Sequence, residues 1–449
     1  MADSNVTNTT NTEISNTSDD PYANVSKTSF YIAIVIFILT YVFIVLETFD
    51  RTIVAIIGAC LMLIIKIIDQ HSAIEEIDFN TLGLLIGMMI LVLITKRSGV
   101  FEYVAIKLVK LAKGSPKKIM IYLSITTGLL SALLDNVTTI MLIIPITLNI
   151  ATELKINPVP LIITEVFASN VGGTGTLIGD PPNIIIGSAV GISFLDFIIN
   201  NGPIVIILLA VTISIYTTIH RKQLKTIKEL KERIMEQDEK ALIKDKVLLI
   251  KSLVVLAAVF TAFMLHSVLG YESATIALAG AVVLLLISNV EVEEILSEVE
   301  WNTILFFVGL FVLVGGLKAV GAIDKLAEFV LDITKGNLVL TAFSILWVSA
   351  IASAFIDNIP FVTTMIPLIN HMGKVSSMNL KPLWWALSLG ACLGGNGTIV
   401  GASANVIAVG LSKKQGHKIT FKKFLYEAFP MMLLTVSIAN VYIYLVYLL

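Results

Sequence analysis

Cysteine and charge are both scarce in this chain. Only Cys60 and Cys392 occur, each within an apolar stretch, which argues against a disulfide framework and against a zinc site of paired cysteines. Each reads as a small buried apolar side chain. Asp, Glu, Lys and Arg make up 14% of the 449 residues, against 56% apolar types, and the mean hydropathy is +0.90. Soluble domains carry about 25% charged residues, so the composition is that of a polytopic membrane protein. No nucleic-acid signature is present. The stretch GGTGT is not followed by Gly-Lys-Ser/Thr, so it reads neither as a Walker loop nor as a dinucleotide fingerprint. ATP-driven transport would therefore need an accessory ATPase as a separate subunit.

What the chain does have is a glycine-rich break inside apolar sequence. Ser169 to Asn183 reads SNVGGTGTLIGDPPN, and its glycines and its Pro181-Pro182 pair must interrupt any helix that crosses there. A break at membrane depth leaves backbone groups that only a protein interior or a polar cavity can accommodate. A second copy, GGNGTIVGASAN, runs from Gly394 to Asn405. Gly172 and Gly394, like Asn183 and Asn405, stand 222 positions apart (172 against 394, 183 against 405). Gly58 and Gly280, Asn80 and Asn302, Asp135-Asn136 and Asp357-Asn358, and Pro145 and Pro367 keep the same register. The chain is read as an internal duplication.

Residues 1–28 form an Asn-, Thr- and Ser-rich tail, expected to be disordered and external, with glycosylation sequons at Asn5, Asn8, Asn16 and Asn24. Repeat 1 covers 29–219. It holds apolar runs at Phe30–Leu46, Thr52–Ile68 and Thr81–Thr95, an amphipathic surface helix from Gly99 to Gly114, and a re-entrant hairpin from Ile119 to Ala151. A broken crossing from Pro160 to Val190 and a last crossing from Gly202 to Ile219 complete it. A basic cytoplasmic linker, 220–246, leads to repeat 2 at 247–449, which follows the same plan. The fold class is thus an all-α polytopic membrane protein of two inverted-topology repeats, each with five crossings and one re-entrant hairpin, and with two broken helices in all.

An odd number of crossings per repeat implies opposite entry into the membrane, and charge supports it. Residues 96–118 carry Lys96, Arg97, Lys107, Lys110, Lys113, Lys117 and Lys118, whereas 318–340 carry only Lys318, Lys325 and Lys335. The first surface helix is therefore expected inside and the second outside. Lys374 and Lys381, expected outside, run against the trend. Both termini are expected outside.

Four helix breaks near the midplane are where a secondary transporter binds solute and ions. Asp135 and Asp357 at the hairpin tips are the first candidates, since intramembrane acids mark ion or proton paths; a purely capping role is the structural alternative. Asn136 and Asn358 complete the tips, followed by Thr138 and Thr139. The first loop offers Asn170, Gly173, Thr174, Gly175, Thr176, Asp180 and Asn183. The second offers Gly395, Asn396, Gly397, Thr398 and Asn405. Asp180 is also placed to cap the helix that begins at Pro181, and Glu165 to pair with a lysine.

With LLDNVTTIMLIIPIT followed by EVFASNVGGTGTLIGDPPN, the chain resembles the ion transporter superfamily, in its arsenite permease and P protein branch. That superfamily also includes citrate and dicarboxylate symporters and sodium/proton antiporters. The resemblance covers about 29–449. It implies a scaffold with a moving transport domain, and a homodimer in the bilayer. In the dicarboxylate symporters the tips carry Ser-Asn-Thr, whereas here the acids oppose a di- or tricarboxylate. The expectation is a secondary carrier of a small anion or oxyacid, arsenite-like, coupled to H⁺ or Na⁺ and without other cofactor. A Na⁺/H⁺ antiporter or a di/tricarboxylate symporter of the same superfamily is the alternative. An intramembrane aspartyl protease would also use two acids, but Asp-Asn tips related by inversion suit two gates better than one dyad. The chain is therefore read as no enzyme, and a channel would be separated from it by saturation and counterflow.

Overall fold

The computed structural model describes residues 26–46, 49–235 and 239–449; the four sequons and nearly all of the expected tail lie outside them. Among the described residues every regular element is helical. In chain order these are α1 (Lys27–Leu46), α2 (Arg51–Ile64), α3 (Gln70–Glu75), α4 (Phe79–Arg97) and α5 (Val100–Leu111). Next come the two arms α6 (Pro116–Leu133) and α7 (Asn136–Glu153), then α8 (Val159–Gly173), α9 (Pro181–Val190) and α10 (Phe194–Ile219). The linker contains α11 (Lys228–Met235) and a 3-10 turn at Glu239–Leu242. The second half comprises α12 (Lys246–Leu269), α13 (Ser273–Ser288), α14 (Val292–Glu298), α15 (Trp301–Ala319) and α16 (Ala322–Thr334). It ends with α17 (Leu338–Phe355), α18 (Asn358–Ser376), α19 (Lys381–Gly394), α20 (Ser403–Lys414) and α21 (Phe421–Ile443).

Eight described helices are long and apolar enough to cross a membrane: α1, α4, α7, α10, α12, α15, α17 and α21. α2, α8 and α13 are shorter apolar helices. α5 and α16 bury one face only, through Phe101, Ala105, Ile106 and Val109 in the first and Ile323, Ala327 and Leu331 in the second, the spacing of an amphipathic helix.

Helix bounds repeat along the chain. α4 and α15, and α6 and α17, stand 222 residues apart at both ends (79 and 97 against 301 and 319; 116 and 133 against 338 and 355). The first residues of α2, α5, α7, α8 and α9 keep that offset with those of α13, α16, α18, α19 and α20. Packing is reciprocal as well. A Cβ on Gly87 of α4 would lie 2.6 Å from the Ala277 carbonyl carbon of α13, and one on Gly309 of α15 would lie 2.8 Å from that of Ala55 in α2. Ala55 and Ala277 hold the same offset, so each half contributes one small-residue crossing to the other. α4 and α15 are largely buried, whereas α1 and α12 expose Val35, Ile38, Leu39, Leu253 and Val254 as lipid-facing helices do.

Three local features differ from the sequence reading. α2 stops at Ile64 rather than Ile68, because Lys66 takes a left-handed φ of 60° and the chain turns. α10 starts at Phe194, well before Gly202, because Ser193 and Asp196 form a capping box and Pro203 is carried inside the helix. Cys60 is exposed on α2, whereas Cys392 is buried.

Candidate functional site

Each expected hairpin breaks at its Asp-Asn pair. Leu134 is extended and Asp135 caps α7, its Oδ1 accepting from the Thr138 N–H at 2.8 Å. Asp357 caps α18 in the same way, accepting from the Ile359 N–H at 3.2 Å. Two helix starts are therefore held by carboxylates.

The crossing loops are braced from within. A Cβ on Gly172 would sit 2.1 Å from the Gly128 carbonyl oxygen, and one on Gly394 would sit 2.4 Å from that of Ala350, so only glycine lets α8 and α19 lie directly on α6 and α17. Thr174 donates to the Asn170 carbonyl, Thr176 to that of Ala132 and Thr398 to that of Ala354. Asn183 Nδ2 donates to the carbonyls of Thr174 and Thr176 at 3.2 and 2.9 Å. Asn405 Nδ2 does the same for Gly395 and Thr398, both at 2.8 Å. These hydroxyls and amides hold the backbone of the breaks at Gly173–Thr176 and Gly395–Thr398. Asp180 occupies the N-cap position of α9, but its side chain makes no cap bond.

One amide joins the two halves. Asn170 accepts from Asn136 Nδ2 at 3.1 Å and donates to Asn396 Oδ1 at 3.0 Å and Asn405 Oδ1 at 2.9 Å. Beside this network lies a central pocket of about 20 Å³ lined by Arg51, Asp135, Asn136, Asp180, Glu300, Thr303, Asn358 and Ser403. Asp180 is fully buried. Its Oδ1 accepts from Asn358 Nδ2 at 3.2 Å, while its Oδ2 has no hydrogen-bond partner. Arg51 Nη1 meets Asp357 Oδ2 at 2.7 Å and donates to Ser403 Oγ at 2.5 Å. Ser403 in turn donates to the same carboxylate oxygen at 2.8 Å. Asp135, Asp180, Asp357 and Glu300 thus gather around one arginine, and that arginine is already paired.

Glu165 is placed differently from its sequence reading. It is fully buried, and both of its oxygens accept from the Thr147 hydroxyl, at 2.8 and 2.9 Å; among the described residues no lysine pairs with it. Cys392, expected as an inert apolar side chain, lies against the site, its thiol 3.5 Å from Asn183 Oδ1. Arg51, Glu300, Thr303 and Ser403 were not singled out in the sequence, where Arg51 and Glu300 look like ordinary charges flanking an apolar run.

A cavity of about 320 Å³ borders the Arg51–Asp357 pair, and two further cavities are lined by residues that correspond between the repeats. One, of about 990 Å³, is lined by Asp78, Ser188, Lys318, Asp324, Ile366, Asn370 and His371. Within it Lys318 pairs with Glu76 at 2.5 Å and His371 Nδ1 with Asp324 at 2.9 Å. The other, of about 380 Å³, is lined by Lys96, Glu102, Pro145, Asn149 and Leu242. Lys96, Glu102, Pro145 and Asn149 are the 222-offset counterparts of Lys318, Asp324, Pro367 and His371. Leu242 comes from the linker, which is tied down by Lys110 bonding Glu239 and by the Lys244 N–H donating to the Ser98 carbonyl at 2.9 Å.

A citrate transporter family profile matches residues 41–390. A Mycobacterium tuberculosis protein described as an uncharacterized transporter is 42% identical over 424 residues, covering 93% of this chain and 98% of its own length. The 46 kDa membrane protein of Mycobacterium leprae is also 42% identical, over 93% of this chain and 99% of its own. The human P protein is 33% identical over 93% of this chain and 60% of its own. Among solved structures, the YdaH transporter of Alcanivorax borkumensis superposes with a TM-score of 0.56 at 12% identity, over 93% of this chain and 99% of that one, a likeness of fold.

Proposed function

The chain belongs to the citrate transporter family, and from that premise we propose a secondary active carrier for a small oxyacid, arsenite-like in being largely uncharged at neutral pH, coupled to H⁺ or Na⁺. One observation carries this reading: four carboxylates, Asp135, Asp180, Asp357 and Glu300, share a single, already paired arginine. Unpaired carboxylates inside a protein are costly unless a proton or a cation joins them. The same surplus repels a di- or tricarboxylate but leaves an uncharged oxyacid free to use the amides of Asn136 and Asn358. Alternating access comes from movement of α6–α9 and α17–α20 against the remaining helices, in a homodimer with both termini outside and the linker in the cytoplasm. An accessory ATPase is compatible with this reading and is not required by it.

A Na⁺/H⁺ antiporter is the second reading, favoured by the size of the central pocket. About 20 Å³ holds a water or a bare cation and little more, since one water needs roughly 10–15 Å³. Purified protein in proteoliposomes separates the two readings under imposed pH or Na⁺ gradients, with arsenite, citrate, succinate or no solute. Arsenite flux driven by one gradient and lost in Asp135→Asn supports the oxyacid carrier. Na⁺/H⁺ exchange without any solute makes it a cation antiporter, and gradient-driven citrate flux defeats the charge argument.

A further inference from the structure

The two hairpin tips are copies in sequence but not in charge. Asp135 and Asp357 occupy equivalent positions and each caps its helix. Among the described residues only Asp357 is paired with a cation, the Arg51 guanidinium at 2.7 Å, held in place by Ser403 and by the Phe306 ring, whose center is 5.1 Å away. The position equivalent to Arg51 is Ser273, at the start of α13 (51 against 273), so repeat 2 sends no cation toward Asp135. Across the pocket from Asp135 stand Asp180, whose buried Oδ2 is unpartnered, and Glu300, whose Oε1 is unpartnered as well. Their counterparts are Ala402 and Asp78. Asp78 is fully engaged, accepting from the backbone of Asn80 and Thr81 and from Ser188. Asp50, the remaining nearby acid, caps α2 through Thr52.

We propose that Arg51 is a resident counter-cation that fills one of two duplicated cation sites, so that the carrier takes up a single coupling cation per cycle, at Asp135, Asp180 and Glu300. The proposal rests on the coupled-carrier reading and adds to it a stoichiometry and the residue that sets it. A guanidinium stays protonated at any working pH, so wherever α18 lies against α2 it neutralises Asp357 without exchanging with solvent, as a mobile ion would. The free tip has the complementary character: three acids, two of them with an unpartnered buried oxygen, face Arg51 only across a shared space of about 20 Å³, while the guanidinium is bonded to Asp357 and Ser403.

Counting cations tests this. The unfolding midpoint of detergent-purified protein is followed against NaCl at fixed pH and against pH at fixed NaCl, and each slope is taken after subtracting that of an Asp135→Asn, Asp357→Asn protein, because the slope of stability with log cation concentration reports the difference in cations bound by the folded and unfolded states over all groups. The two titrations also distinguish Na⁺ from H⁺. Wild type is expected to give a slope of about one cation, and Arg51→Ser, which copies position 273, a slope of about two. Arg51→Lys keeps the charge and stays near one, and Arg51→Ser combined with Asp357→Asn returns to one. Asp135→Asn in the presence of Arg51 abolishes the dependence, an arm that stands even if Arg51→Ser does not accumulate. A wild-type slope of two, an unchanged slope in a folded Arg51→Ser protein, or a full slope retained in Asp135→Asn overturns the proposal. Cation slopes as expected without gradient-driven flux in liposomes would instead overturn the carrier reading. Absence of cation dependence from every one of these proteins, wild type included, overturns both.

Discussion

Asn170 accepts from one half of the molecule and donates to the other, and both of its amide hydrogens are used, on Asn396 and Asn405. Asn170→Ala leaves those three amides with unmet groups in a buried place, each costing about 1–3 kcal/mol. The variant is expected to unfold markedly earlier in a thermal melt, whereas Asn157→Ala, an exposed residue that loses a single bond from the Val159 N–H, shifts it less. Survival of Asn170→Ala at the wild-type midpoint would show that the amide network does not hold the halves together. At this scale the sequence was legible where chemistry was duplicated: Asp135-Asn136 and Asp357-Asn358 announce themselves by keeping one register. Arg51 and Glu300 have Ser273 and Asp78 as counterparts, so no repetition marked them. Only folding, which carries the start of α2 and of α15 to the hairpin tips, reveals what they face. Thr176 and Thr398 were legible as polar groups but not as braces, because the carbonyls they reach, those of Ala132 and Ala354, belong to another helix.

Helices in this molecule lie as close as their glycines permit. At Gly172 an added methyl would meet the Gly128 backbone rather than a side chain that could turn away, so relief requires α8 to separate from α6. Gly172→Ala is expected to abolish monodisperse folded protein in size-exclusion chromatography. Gly202→Ala, whose new methyl finds its nearest neighbour at 3.9 Å within a helix, is expected to behave as wild type or to gain slightly in stability. Equal behaviour of the two variants would contradict this account of the packing. Element positions were largely readable from hydropathy and from glycine and proline. Helix ends were less so, because they depend on local hydrogen bonds: α10 begins early on account of the Ser193–Asp196 box, which a window of apolar residues does not register.

The molecule as a whole is asymmetric although its parts are copies. Asn370 and Ile366 line the 990 Å³ cavity, while their counterparts Leu148 and Ile144 are 1% and 0% exposed. With exposed Cys60 changed to Ser, a maleimide is expected to react at Asn370→Cys at least about tenfold faster than at Leu148→Cys, as when the opposite state is a minor population of about 10% or less. Imposing the coupling gradient is expected to narrow that ratio; a ratio that stays fixed while solute is being carried would exclude exchange between the two cavities. The pairing of Arg51 with Asp357 bears on how such a chain came to have a direction. A protein assembled from two copies of repeat 1 would set an arginine against both acid tips, and one assembled from two copies of repeat 2 would set a serine against both. The first would have no vacancy for a coupling ion, and the second would leave both tip acids without a cation, though without the acid that Asp180 supplies, since its counterpart is Ala402. An unequal pair of descendants, one with the arginine and the other with the serine, is the arrangement that leaves a single vacancy; on the proposal made above for Arg51, a one-cation stoichiometry follows from the difference between the two repeats rather than from their likeness.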